Sequence, residues 1–311
     1  MTITKKYQLF DLIIKSDMGL PELNEVGVFT HGKMDEIHIK VTDLSNLWAQ
    51  VADFERRYIV KDNFVMFQVT NTAIFCIENG KNILVSPMIG VDENKIRLYI
   101  LGSCMGILLM QRMFLPLHGS VINVNGKAYA FIGDSGAGKS TIASAFISKG
   151  YDLLTDDLIA VSFSENNEVI VKPSYPQQKL WQNSIDHFGM EVSKYTPLFE
   201  RENKYAIPVT NNFYHKPLIL SGVFELISDH GIKQVEIHPL NKLESLRTLY
   251  KHTYRNFLIQ RLGLVDWHFQ TSIKLSNQVI MYQLKRPATE FTANELVRVV
   301  LDTIDREVGV Y

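Results

Sequence analysis

The stretch Gly133–Ser140, GDSGAGKS, constrains this chain more than any other, because it fits G-x-x-x-x-G-K-[ST] in a strand-to-helix setting. Ala128-Tyr129-Ala130-Phe131-Ile132 reads as the strand running into it, and TIASAFISKG as the helix leaving it, closed by Gly150. Upstream, Val121-Ile122-Asn123-Val124 and the Asn125-Gly126 turn complete a hairpin with that strand. Strand, glycine loop and helix together predict a phosphate cradle. Glycines let the backbone approach an anion, and the helix N-terminus adds its positive dipole end. The loop residues Gly133, Asp134, Ser135, Gly136, Ala137, Gly138, Lys139, Ser140 and Thr141 are therefore the candidate nucleotide binders. Lys139 brings a charge to the β- and γ-phosphates, and Ser140 brings a hydroxyl for Mg²⁺.

A second carboxylate-bearing segment follows. In LLTDDLIAVSF an apolar strand is expected to end at the pair Asp156-Asp157 before another apolar strand begins. One aspartate at such a position is a metal partner. A neighbour beside it offers a base for an attacking hydroxyl, which a pure nucleotide switch does not need. Asp157 with Ser140 is the metal pair expected here, although residue types alone leave the roles of Asp156 and Asp157 interchangeable. His118 ends an apolar run just before the first strand of the loop unit and joins the candidates by position.

The rest of the chain sets the frame. Its 311 residues predict two domains. Residues 1–95 alternate short β-branched and aromatic runs with turns such as Asn79-Gly80, which predicts a small β-rich domain. Residues 96–311 would hold the nucleotide core, beginning with a buried helix over 96–113. Helix is expected over 240–275 (taking in Tyr254 and Arg255), a strand over 276–285, and a closing helix capped by Thr292 with Glu295. The overall class is α/β. Net charge is −1, which argues against nucleic acid or an anionic membrane as partner. The longest apolar stretch, Leu98–Met110, falls short of the roughly 20 residues that span a bilayer. Two cysteines, Cys76 and Cys104, lie in apolar runs and predict buried thiols; with no secretory signature, a cytoplasmic protein is expected. A homo-oligomer stays open.

His118-Gly119, GDSGAGKS, Lys149-Gly150 and Leu153-Leu154-Thr155-Asp156-Asp157 together resemble the catalytic domain of the HPr kinase/phosphorylase family. That resemblance implies a phosphate-loop core akin to phosphoenolpyruvate carboxykinase, ATP and Mg²⁺ as cofactors, and transfer to a serine. It implies that His118 lies near the transferring phosphoryl group and that the aspartates divide base and metal roles. Thr141 stands where that family carries glutamate after Lys-Ser. Looser motifs resemble a narrower group of HPr-kinase-like proteins from peptide natural-product biosynthesis. They include Leu20-Pro21-Glu22-Leu23, Tyr175-Pro176 with Lys179-Leu180-Trp181, Arg201 through Lys204, His252-Thr253-Tyr254-Arg255 and Leu284 through Pro287. That likeness implies a peptide substrate, the C-terminal serine of a lasso-peptide precursor.

Lys179, Arg201 and Lys204, in sequence that reads as polar loop, and Arg255 are candidates for binding phosphate or a peptide carboxylate. Trp181 and Trp267 read as core aromatics. The competing readings are a nucleotide-sensing accessory protein without efficient transfer, and a kinase acting on HPr or on a small-molecule hydroxyl.

Overall fold

A computed structural model describes residues 4–26, 35–53, 57–62, 64–198 and 201–308, without the side chains of residues 201, 202 and 308. The chain divides into two units, residues 1–116 with 254–268 and residues 117–253 with 269–311. Among the described residues no helix is long and apolar enough to cross a membrane.

The first unit is built on one sheet. Its strands are β1 (Lys5–Leu9), β2 (Leu12–Ser16), β3 (Glu36–Val41), β4 (Tyr58–Lys61), β5 (Phe64–Val69), β6 (Ala73–Glu78) and β7 (Asn82–Pro87), with helix α1 (Ser45–Val51) after β3. Their order is β1-β2-β3-β7-β6-β5-β4. Asn79 and Gly80 both take positive φ, 57° and 58°, which is the type I′ geometry that an Asn-Gly hairpin demands. Ile37 and Ile39 are buried and alternate with their polar neighbours, as the sequence of β3 predicts. The buried helix expected from residue 96 is present as α2 (Glu93–Tyr99) and α3 (Met105–Gln111), joined by a π-helical turn over Ile100–Cys104. A methyl added at Gly106 would lie 2.5 Å from Tyr254 Cδ1, so the tyrosine ring occupies the space a side chain would fill. Both cysteines are buried and unbridged. Burial pushes the Cys76 thiol up to about 12 and Cys104 well above the usual range.

The second unit opens with β8 (Leu115–Val124) and β9 (Lys127–Gly133), turned by Asn125 and Gly126 at φ 52° and 78°. There follow α4 (Lys139–Ser148), β10 (Asp152–Phe163), β11 (Val169–Lys172), β12 (Gln177–Trp181), α5 (Gln182–His187), β13 (Thr196–Leu198) and β14 (Arg201–Pro208). The remaining elements are β15 (Leu218–Asp229), β16 (Glu236–Pro239), α6 (Lys242–His252), α7 (Phe257–Arg261), α8 (Val265–Gln278), β17 (Ile280–Pro287) and α9 (Ala293–Val308). Helix α7 lies in the first unit, and α8 begins there.

The larger sheet runs β11-β10-β8-β9-β15-β17-β16, with β11 also pairing to β15. At its centre β9, β15 and β17 are parallel, so their C-terminal ends share one edge, the usual place for a ligand crevice. A smaller sheet orders β12-β14-β13. Phe131 on β9 stacks with Phe224 on β15, which stacks with Tyr282 on β17, and Phe146 of α4 lies 5.5 Å from Phe131. Val297 and Val300 of α9 complete this core. Each such fully buried side chain contributes about 1.5–3 kcal/mol. The core thus fixes the start of α4 against the end of β9.

Several expectations are corrected. Residues 152–163 form one strand rather than two, with Asp157 inside it at φ 77°. Helix α6 stops at His252: Thr253 bridges to Leu117 and Arg255 takes φ 54°, so Tyr254 and Arg255 lie between helices. Lys179 and Lys204 sit on β12 and β14, not in loops. Thr292 does not cap α9 with its side chain; its hydroxyl is buried and bonds to no described residue. The capping box belongs instead to α6, where Asn241 and Glu244 exchange hydrogen bonds.

Candidate active site

The glycine loop takes the shape its composition permits. Gly133, Gly136 and Gly138 have φ of 153°, 86° and 109°. A methyl at Gly136 would meet nothing within 4 Å, so the loop faces open space there. At Gly133 the same methyl would lie 2.5 Å from the Leu226 carbonyl oxygen, because β15 pairs directly with the end of β9. The buried Lys139 Nζ donates to the carbonyls of Gly133 and Asp134, both at 2.9 Å, which holds the ammonium over the loop. Burial pushes that ammonium down from its ordinary value while Asp156 and Asp157 oppose the shift.

The two aspartates are held differently. Asp156 is 4% exposed and its Oδ1 accepts from Ser140 Oγ at 2.9 Å and from Ser120 Oγ at 2.5 Å. Its Oδ2 accepts from the Lys179 backbone N–H at 2.9 Å. Asp157 Oδ2 instead pairs with Lys179 Nζ at 2.6 Å, and its Oδ1 lies 3.6 Å from His118 Nδ1. Burial works against the Asp157 charge, but Lys179, His118 and Lys204 outweigh it and hold the carboxyl well below the usual range. His118 Nδ1 lies 2.9 Å from the Asp157 carbonyl oxygen, which can only accept, so this nitrogen carries the proton. Burial depresses the His118 pKa, with Asp157 opposing, and favours the neutral ring at pH 7. The hydroxyl–carboxylate contact is Ser140–Asp156, whereas the sequence reading paired Ser140 with Asp157.

These groups share a cavity of about 510 Å³ with Lys179 and Lys204. Trp181, expected in the core, is 42% exposed on the cavity wall. It pairs with Lys204 across β12 and β14, and the Lys204 ammonium lies 5.5 Å from its ring centroid. Arg255 belongs to the first unit, where it donates to Ser103 Oγ and lies over the Tyr58 and Tyr254 rings. The Arg201 side chain lies outside the described residues. Among the described residues no cluster of three His, Cys, Asp or Glu forms a metal cage.

The structure adds residues that the sequence did not make site candidates. Arg286, at the end of β17, donates from Nε to the Ala137 carbonyl and lines the cavity. Gln178 accepts from Ser144 Oγ at 2.7 Å on α4. Glu225 on β15, beside Ile132 in register, accepts from His252 Nε2 at 2.9 Å. Lys251 lies between that carboxylate (3.6 Å) and Asp134 of the loop (3.1 Å).

No protein-family model matches the chain. Over 171 residues it is 26% identical to an HPr kinase/phosphorylase of Nitrosomonas europaea, covering 50% of this chain and 51% of that protein. Two shorter matches are to HPr kinase/phosphorylases of Mycoplasmopsis pulmonis, 35% over 68 residues, and Chlorobaculum tepidum, 34% over 80. The chain is HPr kinase-like. It spans about half the length of the first relative, and 22% and 21% of the other two. A solved structure, the HPr(Ser) kinase/phosphatase from Coxiella burnetii, aligns over 62% of this chain and 98% of that one, at 11% identity and a TM-score of 0.35.

The HPr kinase-like loop depends on its first glycine. Gly133→Ala should cost about 1–2 kcal/mol, because the new methyl meets a backbone carbonyl and the backbone must leave its preferred φ. Urea unfolding of the variant beside the parent measures this, and an unchanged midpoint would show that the β9–β15 junction yields freely.

Proposed function

We propose that this chain is a phosphotransferase that uses ATP and Mg²⁺ to phosphorylate a serine hydroxyl of a peptide. The observation that carries the proposal is the meeting of Lys139, Ser140, Asp156, Asp157, His118 and Lys179 at one cavity. A nucleotide switch needs the loop, the metal hydroxyl and one carboxylate. The second carboxylate, with its own cation, suits a hydroxyl acceptor.

In this reading the loop amides and Lys139 bind the triphosphate. Ser140 and Asp156 fit a magnesium ion: they form a hydroxyl–carboxylate pair at a helix N-terminus, and magnesium keeps several waters rather than demanding a protein cage. The ion, when bound, neutralises charge on the β- and γ-phosphate oxygens. The serine oxygen forms a bond to the γ-phosphorus as the bond to the β,γ-bridging oxygen breaks, and the hydroxyl proton passes to the Asp157 carboxylate. Asp157 takes this role because the Asp156 oxygens are already occupied by three donors from the fold. Lys179, Lys204 and His118 line the side from which the acceptor enters. Lys204 and the exposed face of Trp181 suit a peptide that carries its own carboxylate, such as the C-terminal serine of a lasso-peptide precursor.

Labelled ATP with magnesium and candidate peptides tests the reading. Transfer to a peptide serine is expected; tight nucleotide binding without transfer to any hydroxyl would favour the accessory-protein alternative. Lys139→Ala should weaken nucleotide binding about tenfold, the worth of a charge-assisted hydrogen bond. Unchanged affinity would remove the phosphate-loop assignment.

A further inference from the structure

Two consecutive residues of β12 hold the parts of the candidate site together. Gln178 is 2% exposed; its Oε1 accepts from Ser144 Oγ at 2.7 Å, and its Nε2 donates to the Ser140 carbonyl at 3.4 Å, at the start of α4. Side chains alternate along a strand, so Lys179 points to the other face. Its backbone N–H donates to Asp156 Oδ2 at 2.9 Å, and its Nζ donates to Asp157 Oδ2 at 2.6 Å. One residue thus grips both aspartates. The strand that carries it is fixed by β14, with Ala206 opposite Lys179 and Ile207 opposite Gln178.

The sequence offers Lys179 as a ligand for phosphate or for a peptide carboxylate. Its side chain is 9% exposed, however, with the ammonium against Asp157. Turning that ammonium onto a ligand would leave a buried carboxylate without its counter-ion, which is costly. A bound triphosphate supplies the reason for the pair. Asp157 has to stand near the γ-phosphoryl group to take the acceptor's proton, yet a carboxylate and a phosphate repel each other at that range. A cation fixed on the carboxylate removes the repulsion without entering the reaction. Lys139 is turned elsewhere, to the carbonyls of Gly133 and Asp134.

We propose that Lys179 is a positioning residue: its backbone orients Asp156, and its ammonium neutralises Asp157 so that a base can stand beside a bound triphosphate. The inference rests on the phosphate-loop reading. It gives Lys179 a role exerted through Asp157, in place of direct contact with phosphate or acceptor.

Isothermal titration of the full chain with magnesium-ATP and with magnesium-ADP tests it, because only ATP brings a γ-phosphate toward Asp157. Lys179→Met should weaken ATP binding about fivefold and ADP binding less than about twofold, the scale of one partly screened charge interaction. Adding Asp157→Asn to Lys179→Met should return ATP affinity to within about twofold of the parent, since the bare anion is then gone. Lys179→Gln keeps a hydrogen-bond donor toward Asp157 without the charge, and it gives the same readout if methionine is not tolerated. A double variant as weak as Lys179→Met would show that Lys179 binds the phosphate itself. Equal losses on ATP and ADP would reduce it to a residue of the fold. Either result, or no loss on ATP, overturns the inference while leaving the phosphate loop in place. If the parent chain binds neither nucleotide, the phosphate-loop reading and this inference fall together. No arm of the experiment uses an acceptor, so failure of transfer to a peptide would be a separate result.

Discussion

Asp157→Asn is expected to lower phosphoryl transfer by about a hundredfold or more while leaving nucleotide affinity within about twofold. The substitution is close to a pure test of charge and basicity. Asparagine tolerates the left-handed backbone that Asp157 adopts at φ 77°, so β10 keeps its course. Only the anion is lost, and with it the acceptor for a hydroxyl proton and the partner of Lys179. Asp156→Asn should behave differently. An amide there would turn an NH₂ toward one of the three donors now served by the carboxylate, those of Ser120, Ser140 and the Lys179 backbone. Its expected signature is a raised magnesium requirement together with lower thermal stability. Single-turnover transfer, scored beside nucleotide titration, separates the two. A loss below about tenfold for Asp157→Asn would deny it the base role, and equal magnesium dependence in both variants would deny the division of labour.

What the sequence reveals about this site follows from how local each signal is. The loop and the Asp156-Asp157 pair are contiguous and carry their chemistry in residue type, so they are legible without a fold. The Asn79-Gly80 and Asn125-Gly126 turns are legible for the same reason, since the dipeptide determines the backbone. Lys179 and Lys204 were recognisable as candidates but not as strand residues. Gln177, Gln178 and Lys179 open β12 without an apolar alternation, and the pairing of Trp181 with Lys204 spans 23 positions (204 − 181). That non-local pairing also explains why Trp181 is a wall of the cavity rather than part of the core. Arg286 and Glu225 were invisible as site residues because parallel neighbours bring Glu225 beside Ile132 from 93 positions away (225 − 132) and Arg286 beside Ala137 from 149. The Thr292 signal pointed the wrong way: Thr-x-x-Glu is a capping pattern, yet burial against the cavity wall took the hydroxyl instead.

His252→Ala is expected to destabilise the second unit by about 1–3 kcal/mol at pH 7, the cost of leaving a buried carboxylate oxygen without its hydrogen-bond donor. Glu225 is 4% exposed and its carboxylate is served by His252, Gln283 and Thr248, with Lys251 nearby. Burial alone would raise its pKa, but the hydrogen bonds from His252 and Gln283 and the charges of His252 and Lys251 bring it to about 2. The sign of the pH effect follows from that depression. The folded state binds the Glu225 proton more weakly than the unfolded chain, so the stabilisation is complete above the ordinary carboxylate value near 4.5 and is lost as pH falls toward 2. Other carboxylates titrate in the same window, and so the difference between parent and variant is the quantity to read. It should be largest above the ordinary carboxylate value near 4.5 and shrink as pH falls toward 2, because a protonated Glu225 no longer needs that donor beside it. Urea unfolding at each pH measures it, and a difference that stays constant across that range would rule out the Glu225 carboxylate as its origin. Since Lys251 links Glu225 to Asp134 and Glu225 lies beside Ile132, the variant should also loosen the loop. Faster amide hydrogen exchange at Gly133–Gly138 would register this, and unchanged exchange would confine the role of the pair to the core.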